Sequence, residues 1–364
     1  MQWHTHQYLS VGSALAKIGL GPTYGPPRPI CAEPLLMLLT LLAQSFCLAT
    51  ALAISSQTGF AQSDADLADA NLANSFAYRT TVSQLTHDAK QRSSAGRELQ
   101  VIPFAPESGQ TLARFLVQGG LHGNEGSTST FVLWLASRYA HGTSLLNQLG
   151  PQVGIDFLPY ANPDGDQANT RANQHGVNLN RNFEVLWGVS RENPGSSSFS
   201  EAETRAIRSL FAARKYTAAV DVHGYINWVV VPSTPEAIKA LGYQPKPERI
   251  TAYRRWRTAF KQEMPVLPGY QLKTGAALGD GGAFEDWAFW SQGVLAHCLE
   301  MERSERFAVS YRPDFSHFGD LALRALQAPK VDSFKRYEAF IYKMFMQALN
   351  IQQMTTEPAT LAGK

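Results

Sequence analysis

The run Gly119-Gly120-Leu121-His122-Gly123-Asn124-Glu125-Gly126 constrains this chain more than any other stretch. It follows Phe115-Leu116-Val117, an apolar run that reads as a buried strand. Glycines at four of eight positions describe a tight loop at a strand end, with little side-chain bulk to obstruct a ligand. From such a loop His122 and Glu125, three residues apart, can turn toward one metal ion. Hydrolytic zinc sites take three protein ligands and keep a position for water. The pair is therefore meaningful only if the rest of the chain supplies a third ligand, a base and an anion site.

Read in order, the chain alternates strands and helices. The pattern predicts a helix over residues 85–92, a turn over 93–97 and a strand over 98–104. A second strand over 114–118 ends at the glycine loop, and apolar residues at helical spacing (Phe131, Leu135 and their neighbours) predict a helix over 127–139. A strand over 153–160 runs into Asn162-Pro163-Asp164-Gly165, a strong turn signal. Residues 171–183 are polar without being low in complexity, which marks a working loop. An amphipathic helix over 201–214 has Ser198 and Ser200 as candidate caps. A short strand over 218–222 carries His223-Gly224 at its end. Helix and long loops follow over 233–275, then a last strand over 293–301 and a C-terminal helix over 332–350. Such alternation, with polar residues at strand ends, indicates an α/β sheet flanked by helices whose site lies along one edge. One catalytic domain is expected over residues 77–350, with a flexible leader over 62–76 and a tail over 351–364.

At 364 residues, 44% hydrophobic and 17% charged, the chain can bury a large core. A formal charge of +2 and the lack of any basic run argue against nucleic acid as a partner. Residues 34–54 form an uncharged apolar stretch, followed by a polar exit over 55–62 with Gly59-Phe60-Ala61 as a small-x-small cleavage site. That is a secretory signal pattern, so residues 1–61 are expected to be removed on export to the periplasm or beyond. The competing expectation is an uncleaved anchor, since the stretch is long enough to span a bilayer. Cleavage removes Cys31 and Cys47 and leaves Cys298, which has no internal disulfide partner.

His223, closing a strand in Ala-Val-Asp-Val-His-Gly, is the best third ligand, with His175 in the polar loop as its rival. Glu300, in His-Cys-Leu-Glu-Met-Glu, is the best base, with Glu302 as its rival on the same strand face. His297 also stands three before Glu300, but on a strand positions i and i+3 face opposite sides and cannot share a metal.

Five motifs follow one another along the chain: His122/Glu125, Asn162 to Gly165, Asn180-Arg181, His223 and Glu300. In this order the chain resembles the zinc carboxypeptidases of the carboxypeptidase A family over about residues 90–305, and Ala95-Gly96-Arg97-Glu98-Leu99 resembles that family's first strand motif. The resemblance implies a mixed sheet with the active site at strand ends and one zinc ion held by His122, Glu125 and His223. It implies Glu300 as the base for an attacking water and Arg171 facing the oxyanion. Asn180 and Arg181 would clamp the terminal carboxylate of a peptide substrate, a task suited to a guanidinium fork. No protein partner is implied.

Two departures matter. The family often carries an Asp two residues before the clamp Asn, where it orients a zinc-bound His; here that position is Asn178. The digestive-type enzymes have a mobile Tyr just before the Gly-Gly-x-x-Asp-Trp segment; the stretch Ala276 to Asp280 has none, and Tyr270 lies too far upstream. The missing Tyr, with the run from Asn169 to Phe183, is similar to the bacterial murein peptide amidases, which cut between γ-D-glutamate and diaminopimelate. Glu285 and Asp286 fall where the family sets its side-chain pocket, and an acid there would suit an amine; the other reading is a pair of surface acids. Gly-Gly-x-His-Gly-Asn-Glu also resembles the aspartoacylase and succinylglutamate desuccinylase group, which shares the zinc site. The Asn-Pro-Asp-Gly turn and the long 165–183 loop favour the peptidase. A non-catalytic peptide binder would need a ligand or base to be missing, and all are present.

Overall fold

The computed structural model describes residues 91–106, 109–304 and 331–356. The apolar stretch over 34–54, the leader over 62–76, most of the helix expected over 85–92 and the last residues of the tail lie outside them. Seven strands form one sheet: β1 (Ile102–Phe104), β2 (Ala113–Gly119), β3 (Val153–Leu158), β4 (Ala218–Gly224), β5 (Trp228–Val231), β6 (Gln271–Thr274) and β7 (Leu295–Met301). Their order is β1-β3-β2-β4-β7-β5-β6. The central four strands, β3, β2, β4 and β7, run parallel, while β1 and the β5–β6 pair join them antiparallel. The expected mixed sheet is what forms. Central parallel strands are buried on both faces, which is why Phe115 to Val117 and Ala218 to Val220 read as continuous apolar runs.

Helices cover both faces. On one lie α1 (Gly126–Ala140), α5 (Pro247–Glu263) and α7 (Val331–Thr356), where Phe115 stacks on Phe345 at 4.2 Å and Phe131 meets Phe334 at 5.1 Å. On the other, α3 (Ala202–Arg214) and α6 (Phe284–Asp286), which runs on as a π turn over Trp287–Ser291, share an aromatic cluster of Phe183, Phe199, Phe211 and Trp287. Two further short helices are α2 (Pro163–Ala168) and α4 (Pro235–Ala240).

Several expectations are corrected. The strand over 98–104 shrinks to Ile102–Phe104 plus an isolated Arg92–Glu98 bridge. The preceding turn is tied down by side chains instead of a ladder: Ser93 Oγ, the Ala95 amide and Arg97 all donate to Asp164, at 2.8, 2.9 and 2.8 Å. Neither serine caps α3; its N-cap is Glu201, with no side-chain cap bond, and Ser200 Oγ donates to Glu201 instead. Asn162 and Pro163 form more than a turn, because Asn162 Oδ1 accepts from the Gly165 amide at 2.9 Å and caps α2, with Pro163 at its start. Strand β6 falls within the helix and long loops expected over 233–275, and β5 in a stretch for which no element was expected. Each has four residues, too few for a period to show. The C-terminal helix passes residue 350 and reaches Thr356. Among the described residues no helix is long and apolar enough to cross a membrane.

The site is positioned by one interlock. The Ala161 and Asn162 amides donate to Gly119 O and Gly120 O at 3.0 and 2.9 Å. Asn162 Nδ2 donates to Leu121 O at 3.3 Å. A Cβ on Gly123 would overlap the Gly165 backbone, so the glycine loop and the Asn-Pro-Asp-Gly turn meet where only hydrogens fit.

A candidate metal centre at the strand ends

Because β2, β4 and β7 are adjacent and parallel, their carboxyl ends deliver the glycine loop, His223 and Glu300 to one edge. His223 and Glu300 are direct register partners. His122 Nδ1 lies 3.0 Å from His223 Nδ1 and 3.0 Å from Glu125 Oε1, and His223 Nδ1 lies 3.2 Å from Glu125 Oε2. With one donor atom taken from each residue, all three fall within 4.8 Å of one another, and all three residues are buried. A tetrahedral zinc with bonds of about 2.0–2.1 Å holds its donors roughly 3.3 Å apart, so the set has the right size.

The second ring nitrogens fix which atoms face inward. His223 Nε2 lies 2.7 Å from Asp221 Oδ2, and His122 Nε2 lies 3.0 Å from Asn178 Oδ1. Those oxygens accept, so each Nε2 carries a proton and each Nδ1 turns to the shared centre, where it presents a lone pair once any second proton is displaced. Two imidazole lone pairs facing each other beside a carboxylate call for a cation, and Arg171 Nη1 stands in for one, 3.0 Å from His122 Nδ1 and 3.2 Å from Glu125 Oε1. Burial would lower the pKa of His223, but Asp221 and Glu125 outweigh it and hold the ring well above its ordinary value. Burial lowers His122, against the pull of Glu125. Glu125 is kept below the usual carboxylate range, because His122 and His223 overcome its burial. The donor set fits a divalent metal that displaces protons as it binds.

The model of the zinc carboxypeptidase family matches residues 72–323, well over half of the chain. The chain belongs to the zinc carboxypeptidase family. It is similar to carboxypeptidase D of Drosophila melanogaster, 27% identical over 149 residues that cover 36% of this chain and 10% of that protein. Carboxypeptidase SOL1 of Arabidopsis thaliana is 27% identical over 139 residues, covering 36% of this chain and 28% of that protein. The chain thus spans less than a third of the curated relatives it matches. In fold it is similar to the carboxypeptidase A of Helicoverpa armigera, with a TM-score of 0.53 and 17% identity over 82% of this chain and 78% of that one.

The family's cofactor is zinc, and among the described residues His122, Glu125 and His223 are the set that can hold one ion. The other candidates gather around them or fall away. Glu300 is half-buried; burial, with Glu125 and Asp221 nearby, pushes its carboxyl up to about 7 against the pull of His223 and Arg171. Among the described residues its Oε2 has no hydrogen-bond partner. Glu302 is excluded as base, since it lies past the strand and pairs with Arg336 at 2.7 Å. His175 is excluded as ligand, since it turns to Glu201 at 2.7 Å. His297 points to the opposite face of β7, packed on Phe260 and Phe340. Tyr270 bonds to Tyr337 on α7.

Arg181 is buried in the loop, with Nε on Ser190 Oγ at 3.1 Å and Nη1 on Asn180 O at 2.7 Å. Asn180 Oδ1 accepts from the Phe284 amide at 2.8 Å, the Phe183 amide donates to Gly282 O at 3.0 Å and the Gly282 amide to Val185 O at 2.9 Å, so this loop and the 279–284 segment hold each other. Glu285 is no surface acid: it is 2% exposed, and burial together with Asp286 raises its carboxyl well above the ordinary value. Asp286 is pushed up to about 6 by burial and is bound by Ser233.

Sequence reading missed three acids. Asp221 was detectable, because two residues before His223 on a strand is the same face. Glu192 and Asp280, which both contact Arg181, carry no such signal.

Proposed function

We propose that this chain is a zinc metallocarboxypeptidase that removes a C-terminal residue through its carboxylate. The observation that carries the reading is the register pairing of His223 with Glu300, which sets a carboxyl whose buried Oε2 lacks a hydrogen-bond partner among the described residues beside a three-donor metal site. Zinc, when bound, supplies a Lewis acid that polarises the scissile carbonyl and acidifies water. Glu300 accepts a proton from the attacking water at Oε2, the water oxygen adds to the carbonyl carbon, and the same proton passes to the leaving nitrogen as the C–N bond breaks. Arg171 faces the carbonyl oxygen as it gains charge. Arg181, with Asn180, takes the terminal carboxylate. Asp221 and Asn178 keep the two histidines in the tautomer that binds metal.

For the leaving residue we propose diaminopimelate, attached to γ-D-glutamate in a cell-wall peptide. Glu285 supports this: a buried carboxyl whose Oε2 lacks a partner among the described residues suits an incoming ammonium, whose charge would favour the ionised carboxylate and form an ion pair as its proton leaves. The apolar stretch over 34–54 supports export to the compartment where such peptides lie. The test compares L-Ala-γ-D-Glu-diaminopimelate with ordinary peptides ending in Lys, Arg or Phe, using metal-loaded protein and a Glu300→Gln control. Release of diaminopimelate alone supports the narrower reading. Release of a standard residue leaves a general carboxypeptidase. Absence of chelator-sensitive turnover of either would overturn the peptidase reading and direct the search to the deacylases.

A further inference from the structure

The guanidinium assigned to the substrate carboxylate already holds carboxylates. Arg181 Nη2 contacts Glu192 Oε1 at 3.0 Å and Asp280 Oδ1, while its Nε and Nη1 are bonded to Ser190 Oγ and Asn180 O. Glu192 does more than pair with Arg181. Its Oε2 accepts from Arg171 Nε at 3.2 Å and from Asn178 Nδ2 at 2.6 Å. One side chain therefore bridges both arginines of the site and the amide that orients His122. Arg181 offers no unengaged pair of N–H groups, so a bidentate carboxylate cannot bind without replacing a partner.

Of the two carboxylates, Glu192 is the one placed to leave. Its side chain is 42% exposed against 21% for Asp280. Asp280 precedes Gly281 and Gly282, whose backbone is packed against Leu186 and Arg181. Glu192 instead lies between Gly188 and Gly195, both at positive φ (82° and 80°), in a stretch without helix or strand. Burial pushes the Glu192 carboxyl up, but Arg171 and Arg181 outweigh this and keep it ionised at neutral pH.

We propose that Glu192 is a built-in occupant of the carboxylate clamp, bridging Arg171 and Arg181 in the resting protein and displaced when a substrate carboxylate binds. This rests on the reading of Arg181 as the clamp. Displacement frees two donors on different sides of the scissile bond at once: Arg181 for the terminal carboxylate and Arg171 for the carbonyl oxygen. A ligand without a carboxylate lacks the charge to compete. Glu192 thereby screens for substrates with a free acidic terminus, over and above the contact that terminus makes.

The role differs sharply from simple support of the arginines, because the two predict opposite signs. If Glu192 competes with the substrate, Glu192→Gln lowers KM for an acid-terminated peptide and leaves its C-terminal amide analogue unimproved. A half-exposed ion pair is worth up to about fivefold in such an equilibrium. If Glu192 only braces the arginines, the same change raises KM for the acid. We would measure KM for both peptides in wild type, Glu192→Gln and Glu192→Ala, using the full metal-loaded chain, and titrate each protein calorimetrically with N-acetyl-phenylalanine as a carboxylate probe. A fall in the acid-to-amide KM ratio of about fivefold, with tighter probe binding, is the expected result. An unchanged or raised ratio with unchanged or weaker probe binding overturns the proposal. Arg181→Ala separates the two layers: if it leaves probe binding intact, the clamp reading fails, and the Glu192 proposal with it.

Discussion

At the scale of the residue, the centre depends on where protons sit. Asp221 locks the Nε2 proton of His223, and Asn178 does the same for His122 without a charge. Asp221→Asn should weaken zinc about 10- to 100-fold, read by competition with a chromophoric chelator. Asn178→Asp should strengthen it, because a carboxylate makes the imidazole more basic. Glu300 has the clearest pH signature. Its carboxyl lies near 7 without metal, raised chiefly by burial, and it works as a base only when ionised. The acid limb of kcat/KM should follow its deprotonation, with activity rising as pH rises. A dication beside it favours the carboxylate and moves the limb below 7. Glu300→Gln should abolish the limb and lower kcat at least about a hundredfold while zinc is still bound. A variant that keeps both zinc and turnover would exclude Glu300 as the base.

At the scale of the element, two packing contacts stand out. Gly123 of the glycine loop and Gly165 at the start of α2 meet backbone to backbone. Gly123→Ala cannot be absorbed by a rotamer change, since the obstructing atoms are main chain, and should cost about 1–3 kcal/mol or more with loss of metal. Thermal melting with and without zinc would register both losses, and a variant with wild-type melting would refute the interlock. On β7, His297 is buried at the α5–α7 face with neither ring nitrogen bonded among the described residues, and burial lowers its pKa to about 3 from an ordinary 6.5. The unfolded chain takes up a proton below 6.5 and the folded one does not until about 3. Stability is therefore unaffected above 6.5 and falls with pH in that window, by up to about 1.4 kcal/mol per pH unit. His297→Leu should flatten this part of the denaturation profile; an unaltered slope would show that other groups set it.

At the scale of the whole molecule, the metal ties together segments far apart in the chain: the loop after β2 and the end of β4, about a hundred residues on. Binding to the folded state alone should raise the melting temperature, with about 2.7 kcal/mol gained at a hundredfold excess over Kd. Zinc-dependent melting should weaken toward acid pH, as protons on His122 and His223 compete. A melting point indifferent to zinc at neutral pH would dissociate the His-Glu-His set from metal. Much of this was legible in advance. His122, Glu125, His223 and Glu300 each sit at the end of a strand whose apolar run announces it, and Arg171 and Arg181 stand in a polar loop too varied to be filler. The short strands β5 and β6 were not legible, because four residues are too few to show a period, and β5 pairs only where β7 offers an edge and β6 where β5 does. Glu192 was not legible either: it meets partners 21, 14 and 11 residues away across a loop, and loops have no repeat from which to infer a face. The amino-acid sequence alone determined the succession of strands and helices and the chemical identity of the ligands, because both follow from near-neighbour periodicity and residue type. Only the tertiary structure decided which nitrogen of each histidine turns to the shared centre, which glycines touch, and that Arg181, the proposed clamp, already contacts Glu192 and Asp280. Those depend on distances between segments far apart in the chain, which are set by sheet register and packing.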